Sequence, residues 1–337
     1  MQTLWFFKWS ILTTIVALVV AVFYGGVAAL ALVAVLIALE ISISFDNAVV
    51  NATVLRGMSR TWQTVFLTIG ILIAVVGMRI FFPIAIVAVA SKLGFSEVID
   101  LALNDQEQYA KRVEMAKPII GGFGGAFLLM VALEYLIDRD REVHWLPGIE
   151  PLLARAGTVT ALPVAITLIA VVATSQIVGG SERDILLSGA IGVIAFVFMH
   201  GLSSAMGVME NTSGKATGTA GLAGFAYLEM LDASFSLDGV LGAFAITTDV
   251  VVIALGLGVG ALYVRSLTVY LVRRETLQQY AYLEHGAHWA IGALGVVLLV
   301  GIGTEVPEWL TASIGLGAIA AAFLSSVREN MAEANES

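Results

Sequence analysis

The chain has 337 residues, of which 59% are hydrophobic and 13% are charged, and its net charge is −9. Soluble domains carry roughly 25% charged residues, so this composition excludes an ordinary soluble globular protein. The sequence contains no cysteine, which excludes disulfides, thiolate metal ligands and thiol catalysis.

Apolar stretches recur along the whole chain, and many approach the length of about 20 residues that a membrane-spanning helix needs. We predict ten such helices, at residues 8–24, 27–56, 61–90, 117–137, 158–178, 184–206, 218–247, 249–272, 283–303 and 309–327. The alternating pattern of a membrane β-strand is absent, and helices satisfy their own backbone groups in lipid. The expected fold class is therefore an all-α polytopic membrane protein embedded in a lipid bilayer.

The connections between the predicted helices differ in length and charge. Two of them, residues 91–117 and 138–157, are long and polar, and we predict solvated loops with some interfacial helix there. Of the 17 lysines and arginines, ten lie on the membrane side of the amino terminus and five on the other, while Arg79 and Arg265 fall inside helices. Because cytoplasmic loops carry an excess of positive charge, we expect a multi-pass protein of the cell membrane with both termini cytoplasmic.

An acidic motif occurs twice in the sequence. Residues 40–47, EISISFDN, align without gaps on residues 232–239, DASFSLDG. Both segments contain an acid, two serines in alternate positions and a final aspartate, inside helices that are otherwise apolar. A chance match of two such strings is improbable, so the motif indicates an internal duplication.

The similarity between the two halves continues beyond this motif. The further matches, in chain order, are the nine-residue spacings of Gly70 to Arg79 and Gly256 to Arg265, the Gly-x-x-Gly motifs at 121–124 and 292–295, and the acids Glu134 and Glu305. We predict a five-plus-five repeat within one membrane domain, with halves at residues 1–180 and 181–337. Equivalent helices are an odd number of crossings apart, so the halves would be inverted, which points to a site at the bilayer midplane.

The repeated motifs place several carboxylates inside the membrane. A carboxylate at the centre of a membrane helix costs roughly 2.5 to 3.5 kcal/mol, and like charges in a low dielectric cannot all stay ionised without a counter-cation. The carboxylates concerned are Glu40, Asp46, Glu229, Asp232 and Asp238. Their oxygen ligands suit Mg²⁺, Ca²⁺ or Mn²⁺. The alternative is that these acids only neutralise Arg79 and Arg265, although two arginines would leave three acids uncompensated.

The helical positions of the first motif divide into two faces. At about 100° per residue, Glu40, Ser44, Asn47 and Asn51 form one polar stripe, whereas Asp46 lies on a different face. Either the helix unwinds near the serines and turns both acids inward, or both faces are buried in protein. If the helix unwinds, the repeat predicts the same irregularity in the second motif helix.

Residues 227–238, YLEMLDASFSLD, followed by AITTD at 245–249, look like the second motif of the TerC family of integral membrane proteins. Residues 40–47 look like the first motif of that family, and residues 282–295 resemble its later segment. Gly239 stands where family members commonly carry serine. The family is associated with tellurium resistance and with export of Mn²⁺ or related divalent metals, and its motif carboxylates are thought to bind the ion.

The resemblance, together with the repeat, assigns a role to each motif residue. The expected metal ligands are Glu40, Asp46, Asn47, Asp232 and Asp238, and the expected supporting residues are Ser44, Ser236, Glu229, Arg79 and Arg265. We expect a divalent-cation transporter and not an enzyme, with Mn²⁺ as the expected substrate, Ca²⁺ or Mg²⁺ as alternatives, and no nucleic-acid partner. Two alternatives are an intramembrane aspartyl protease, for which a Gly-x-Gly-Asp string is missing, and a non-transporting membrane partner in metal or tellurium resistance or in metallation of exported proteins.

Overall fold

The computed structural model describes residues 2–206 and 215–336. These residues form helices joined by loops. The helices are α1 Gln2–Ile43, α2 Phe45–Arg56, α3 Arg60–Leu72, a π-helical segment Ile73–Phe81, α4 Phe82–Ser91, α5 Phe95–Asn104, α6 Gln106–Leu136, α7 Glu150–Ala156, α8 Leu162–Val178, α9 Glu182–Ala205, α10 Gly218–Ile246, α11 Val250–Arg273, α12 Thr276–Gln279, α13 Leu283–Gly301 and α14 Glu308–Glu336.

Each of the ten predicted segments is helical over most of its length. Within the described residues, seven helical stretches are long and apolar enough to cross a membrane. They are Phe6–Ile43, Arg60–Ser91, Gln106–Leu136, Glu182–Ala205, Val250–Arg273, Leu283–Gly301 and Trp309–Ala332. The chain is therefore a polytopic α-helical membrane protein.

The first long helix, α1, is broken at a pair of glycines. Gly25 and Gly26 have non-helical backbone angles, and the φ of Gly26 is +68°. Only glycine adopts such a conformation at no steric cost. The break separates the two predicted segments 8–24 and 27–56 at the expected position, so this predicted boundary is confirmed.

The polar connection at 91–117 is more ordered than predicted, because helix α5 and the first turns of α6 occupy most of it. The carboxylate of Asp105 accepts a hydrogen bond from the backbone N–H of Gln108 at 3.1 Å and caps α6. Tyr109 and Val113 of these first turns are each 1% exposed and belong to a core cluster with Val98 of α5. Helix α6 therefore begins with amphipathic turns that precede its apolar part.

The second polar connection, 138–157, is anchored to α13 by Glu150. Its carboxylate accepts hydrogen bonds from the indole N–H of Trp289 at 2.9 Å and from the backbone N–H of Trp145 at 2.7 Å. Nδ1 of His285 lies 2.8 Å from the same carboxylate. Burial alone would raise the pKa of Glu150, but the contacts with His285, Trp289 and Trp145 outweigh it and lower the pKa below its ordinary value. The ionised carboxylate of Glu150 therefore holds the connection 138–157 against α13.

Helices α6 and α13 cross in close contact and run antiparallel. A Cβ at Gly121 would lie 2.7 Å from Ile302, one at Gly125 would lie 2.9 Å from the carbonyl oxygen of Gly295, and one at Gly292 would lie 3.1 Å from Ala132. Glycines let the two backbones approach more closely than other residues allow. Both Gly-x-x-Gly motifs therefore lie at this crossing, where Gly295 of the second contacts Gly125, the residue after the first.

Candidate metal centre

The first acidic motif lies at a break between α1 and α2. Ser44 separates the two helices with φ −95° and ψ 17°, while its backbone N–H still bonds to the carbonyl of Glu40. The Ser44 hydroxyl also donates to Oε1 of Glu40 at 3.3 Å. The first motif is therefore irregular at Ser44, although the N–H of Ala48 still bonds to the carbonyl of Ser44, and Glu40 and Asp46 on its two faces are both buried.

The second acidic motif lies on an uninterrupted helix, so the predicted irregularity there is wrong. Helix α10 runs from Gly218 to Ile246 without interruption. Every residue of 231–240 is buried, including Asp232, Ser236 and Asp238 at 5%, 3% and 6% exposure. Because neighbouring helices cover both faces of α10, its acids reach the protein interior without unwinding.

Glu40 forms a buried ion pair with Arg79, which the π-helical segment supplies. The Arg79 guanidinium also donates to the carbonyl oxygen of Ala74, five residues earlier, at 3.1 Å. Two glycines leave room for the Glu40 side chain: a Cβ at Gly239 would lie 2.6 Å from its Oε2, and one at Gly260 would lie 2.5 Å from its Cβ. The Glu40 carboxylate thus leaves no room for a side chain at position 239, which explains the glycine there.

Arg265 of α11 holds the two acids of α10 that precede the motif serines. Its guanidinium donates to both carboxylate oxygens of Glu229, at 2.9 and 3.0 Å, and also to Asp232. A further bond runs to the carbonyl oxygen of Phe66 at 3.0 Å. Gly70 leaves space for this group, since a Cβ there would lie 2.2 Å from Nη1 of Arg265. Such bidentate pairs are among the stronger interactions between side chains.

Asn51 links the two motif helices. Its Nδ2 donates to Oδ1 of Asn47 at 2.7 Å and to Oδ1 of Asp232 at 2.5 Å. In the described part of the chain, Oδ1 of Asn51 and the hydroxyl of Ser236 are buried and have no hydrogen-bond partner. Sequence reasoning placed Asn51 on the polar stripe but not among the ligands, and its spacing of four from Asn47 was the available signal.

The last two motif acids, Asp46 and Asp238, lie beside different cavities. Asp46 is 3% exposed and lines a pocket of about 10 Å³ against α13 and α14. Its Oδ1 accepts the backbone N–H of Asn47 at 2.8 Å. Asp238 lines a much larger cavity of about 770 Å³. The two repeated aspartates therefore have unlike surroundings.

Two large cavities lie at opposite ends of the helix bundle. The cavity of about 770 Å³ is lined by the amino-terminal half of α6 and the carboxyl-terminal end of α13, and includes Glu305. A second cavity, of about 710 Å³, is lined by the carboxyl-terminal half of α6 and the start of α13, and includes Glu134. The matched acids Glu134 and Glu305 thus face opposite ends.

The buried polar groups form an acid–arginine network. Three of the five predicted carboxylates, Glu40, Glu229 and Asp232, contact a guanidinium. Within the described residues, no group of three or more histidine, aspartate or glutamate side chains is placed to hold a metal ion. The metal ligands inferred from the sequence stay a prediction, and the structure adds Asn51 to their neighbourhood.

Comparison with known proteins places the chain in a family but does not give it an activity. No curated protein and no solved structure matches the sequence. The sequence profile described as protein of unknown function (DUF475) matches residues 45–333, which is most of the chain and includes both aspartates Asp46 and Asp238. The chain therefore belongs to the DUF475 family of proteins of unknown function.

Proposed function

We propose that this chain is a divalent-cation transporter that exports Mn²⁺ by alternating access around its buried carboxylates. The observation that carries the proposal is a pair of matched contacts. Glu40 contacts Arg79, and Asp232, which is equivalent to Glu40 in the motif alignment, contacts Arg265, the equivalent of Arg79. Two halves that repeat the same buried ion pair favour one central site over two unrelated structural contacts.

Ten membrane crossings in a five-plus-five inverted repeat form part of this proposal. The antiparallel crossing of α6 and α13, near their matched Gly-x-x-Gly motifs, is what a twofold axis lying in the membrane plane would produce. The two cavities, with Glu134 lining one and Glu305 the other, fit the same symmetry. Alternating access would open these cavities in turn. In this proposal the protein lies in the cell membrane with both termini cytoplasmic.

Charge and hydrogen bonding support a cation as the substrate. The five motif acids and the two arginines are all buried, which leaves an excess of negative charge in the protein interior that a divalent cation would balance. The oxygens of Asn51 and Ser236 that have no partner in the described residues each cost about 1 to 3 kcal/mol when buried, and a hard cation accepts such oxygens as ligands.

The two arginines act as resident counter-charges in this proposal. A guanidinium satisfies a carboxylate while no metal is bound, and its withdrawal frees the carboxylate oxygens for the ion. Glu40, Asp46, Asn47, Asp232 and Asp238 would supply the ligands. The TerC resemblance of both motifs supports Mn²⁺ as the cargo.

Mn²⁺ flux into proteoliposomes tests the proposal. We expect the native protein to carry Mn²⁺ and the double variant Asp46→Asn plus Asp238→Asn to lose about tenfold or more of that flux, because an amide lacks the negative charge the ion needs. Glu97→Gln plus Asp100→Asn removes the same charge from the exposed helix α5 and should transport normally. Equal flux in the native protein and the motif double variant would overturn the proposal.

A further inference from the structure

Helix α5 exposes a stripe of large apolar side chains. Phe95, Ile99 and Leu103, which we call the α5 stripe, follow one another at intervals of four residues and are 50%, 43% and 61% exposed. Because residues four apart lie on the same face of an α-helix, the three side chains form one continuous surface. An exposed apolar surface of this kind marks contact with a partner or with lipid.

The two flanks of the α5 stripe have opposite character. On one side, Val98 and Ala102 are 0% and 3% exposed and belong to a core cluster with Val87 of α4 and Tyr109 of α6. The exposed polar residues of the helix lie on the other side, and they are Ser96, Glu97, Asp100 and Asn104. At about 100° per residue, the α5 stripe therefore lies between a face buried in protein and a face that is polar and charged.

Phe95 joins the α5 stripe to the apolar surface of the preceding membrane-crossing helix, Arg60–Ser91. Its ring stacks on the ring of Phe81, with the centroids 5.9 Å apart and the planes 13° from parallel. Phe81 is 59% exposed, and every exposed side chain between residues 69 and 81 is apolar. The α5 stripe therefore continues a surface that faces the lipid.

The length of the preceding helix indicates the depth of α5 in the membrane. Arg60 begins that helix and is exposed. At a rise of about 1.5 Å per residue, Phe81 lies roughly 30 Å further along, and the hydrocarbon core of a bilayer is also about 30 Å thick. If Arg60 lies at one edge of the hydrocarbon, Phe81 lies near the other edge, and α5 lies at the same level because Phe95 stacks on Phe81.

Neither water nor the hydrocarbon interior suits the whole of α5. In water the α5 stripe would stay uncovered. In hydrocarbon the exposed carboxylates of Glu97 and Asp100 would lose their hydration. At the boundary between the two, the apolar face and the charged face each meet the medium that they need.

We propose that α5 lies in the plane of the membrane surface and inserts the α5 stripe among the lipid acyl chains, with Glu97 and Asp100 directed toward the water. Tyr109 and Val113 of α6 belong to the same core cluster as the buried face of α5. Lys111 of these turns lines the cavity of about 770 Å³. The mouth of that cavity therefore lies at the level of the lipid headgroups. This inference holds whether or not the protein transports an ion.

Fluorescence quenching of single labels tests the position of α5. The chain contains no cysteine, so Ile99→Cys and Asp100→Cys each provide one thiol for a nitrobenzoxadiazole label in phosphatidylcholine vesicles. An interfacial helix buries its apolar face about 5 to 10 Å deep, so a nitroxide on the acyl chain should quench the label at 99 about threefold more strongly than the label at 100. Iodide in the water should quench the two labels in the reverse order.

Two control positions calibrate these measurements. Val76→Cys lies on the lipid-facing surface of the preceding helix and should give strong acyl-chain quenching. Glu107→Cys lies at the mouth of the large cavity, where the native side chain is 79% exposed, and should be quenched by iodide. All four positions are exposed, so the labels leave the core intact.

Three results would overturn the inference. Equal iodide quenching at 99 and 100 would place α5 in water, and strong acyl-chain quenching at both positions would place it inside the hydrocarbon. A label at 99 that is shielded from both quenchers would show that protein covers the α5 stripe. Loss of that shielding at a higher ratio of lipid to protein would identify the cover as a second copy of this chain.

Discussion

Replacement of Arg265 by leucine tests whether the buried network holds the helices together. Arg265 is 2% exposed and is bonded to Glu229, Asp232 and the carbonyl oxygen of Phe66. Arg265→Leu would leave two carboxylates buried without their cation. Breaking a buried ion pair from one side costs about 3 to 5 kcal/mol, and we expect a loss of that size in the free energy of unfolding.

The matched control is Arg56→Leu. Arg56 lies 2.7 Å from Glu284, but its side chain is 41% exposed, and exposed pairs contribute about 0 to 1 kcal/mol. Both variants would be unfolded by denaturant titration in the same detergent. If Arg265→Leu is no less stable than Arg56→Leu, the network is not a stabilising element. Adding Glu229→Gln and Asp232→Asn to Arg265→Leu should restore part of the stability, because the unpaired charges are removed.

Two further substitutions test a close contact and a titrating anchor. Gly70→Ala places a methyl group 2.2 Å from Nη1 of Arg265 and should cost about 1 to 3 kcal/mol of stability. The control Gly77→Ala meets Ile73 at an ordinary 3.5 Å and should be tolerated. Equal unfolding midpoints of the two variants would contradict the steric role of Gly70. Because the folded pKa of Glu150 is lowered, its stabilisation is complete above the unfolded pKa of about 4.3 and is lost as the pH falls through the lower folded value. The stability gap between the native protein and Glu150→Gln should therefore narrow in acid, and a gap independent of pH would refute the role of the ionised carboxylate.

Hydropathy predicted the positions of the helices well and their ends less well. The glycine pair at 25 and 26 marked a boundary that the structure confirms. Helix α6 begins at Gln106, well before the predicted start at residue 117. Apolar content detects only the part of a helix inside the membrane, whereas capping by Asp105 and the buried face of the polar turns decide where the helix begins.

The residues of the candidate site were predictable from the sequence, but the contacts that pair them across helices were not. The repeated acids and arginines were visible in the sequence, and Asn47 and Asn51 had the spacing of helical neighbours. The bond from Asn51 to Asp232 depends on how two distant helices pack, which no local pattern reveals. The burial of both faces of α10 also depends on how neighbouring helices pack against it.

The glycine crossing of α6 and α13 has a mechanical consequence. Backbones in such close contact cannot slide far, but they can rotate about the point of contact. Helix α6 has 31 residues, and at a rise of about 1.5 Å per residue its ends lie roughly 20 Å from its middle. A tilt of about 10° would then move each end by about 3.5 Å in opposite directions, which exceeds the width of a water molecule. A tilt about this crossing would widen one of the two large cavities at the ends of the bundle and narrow the other.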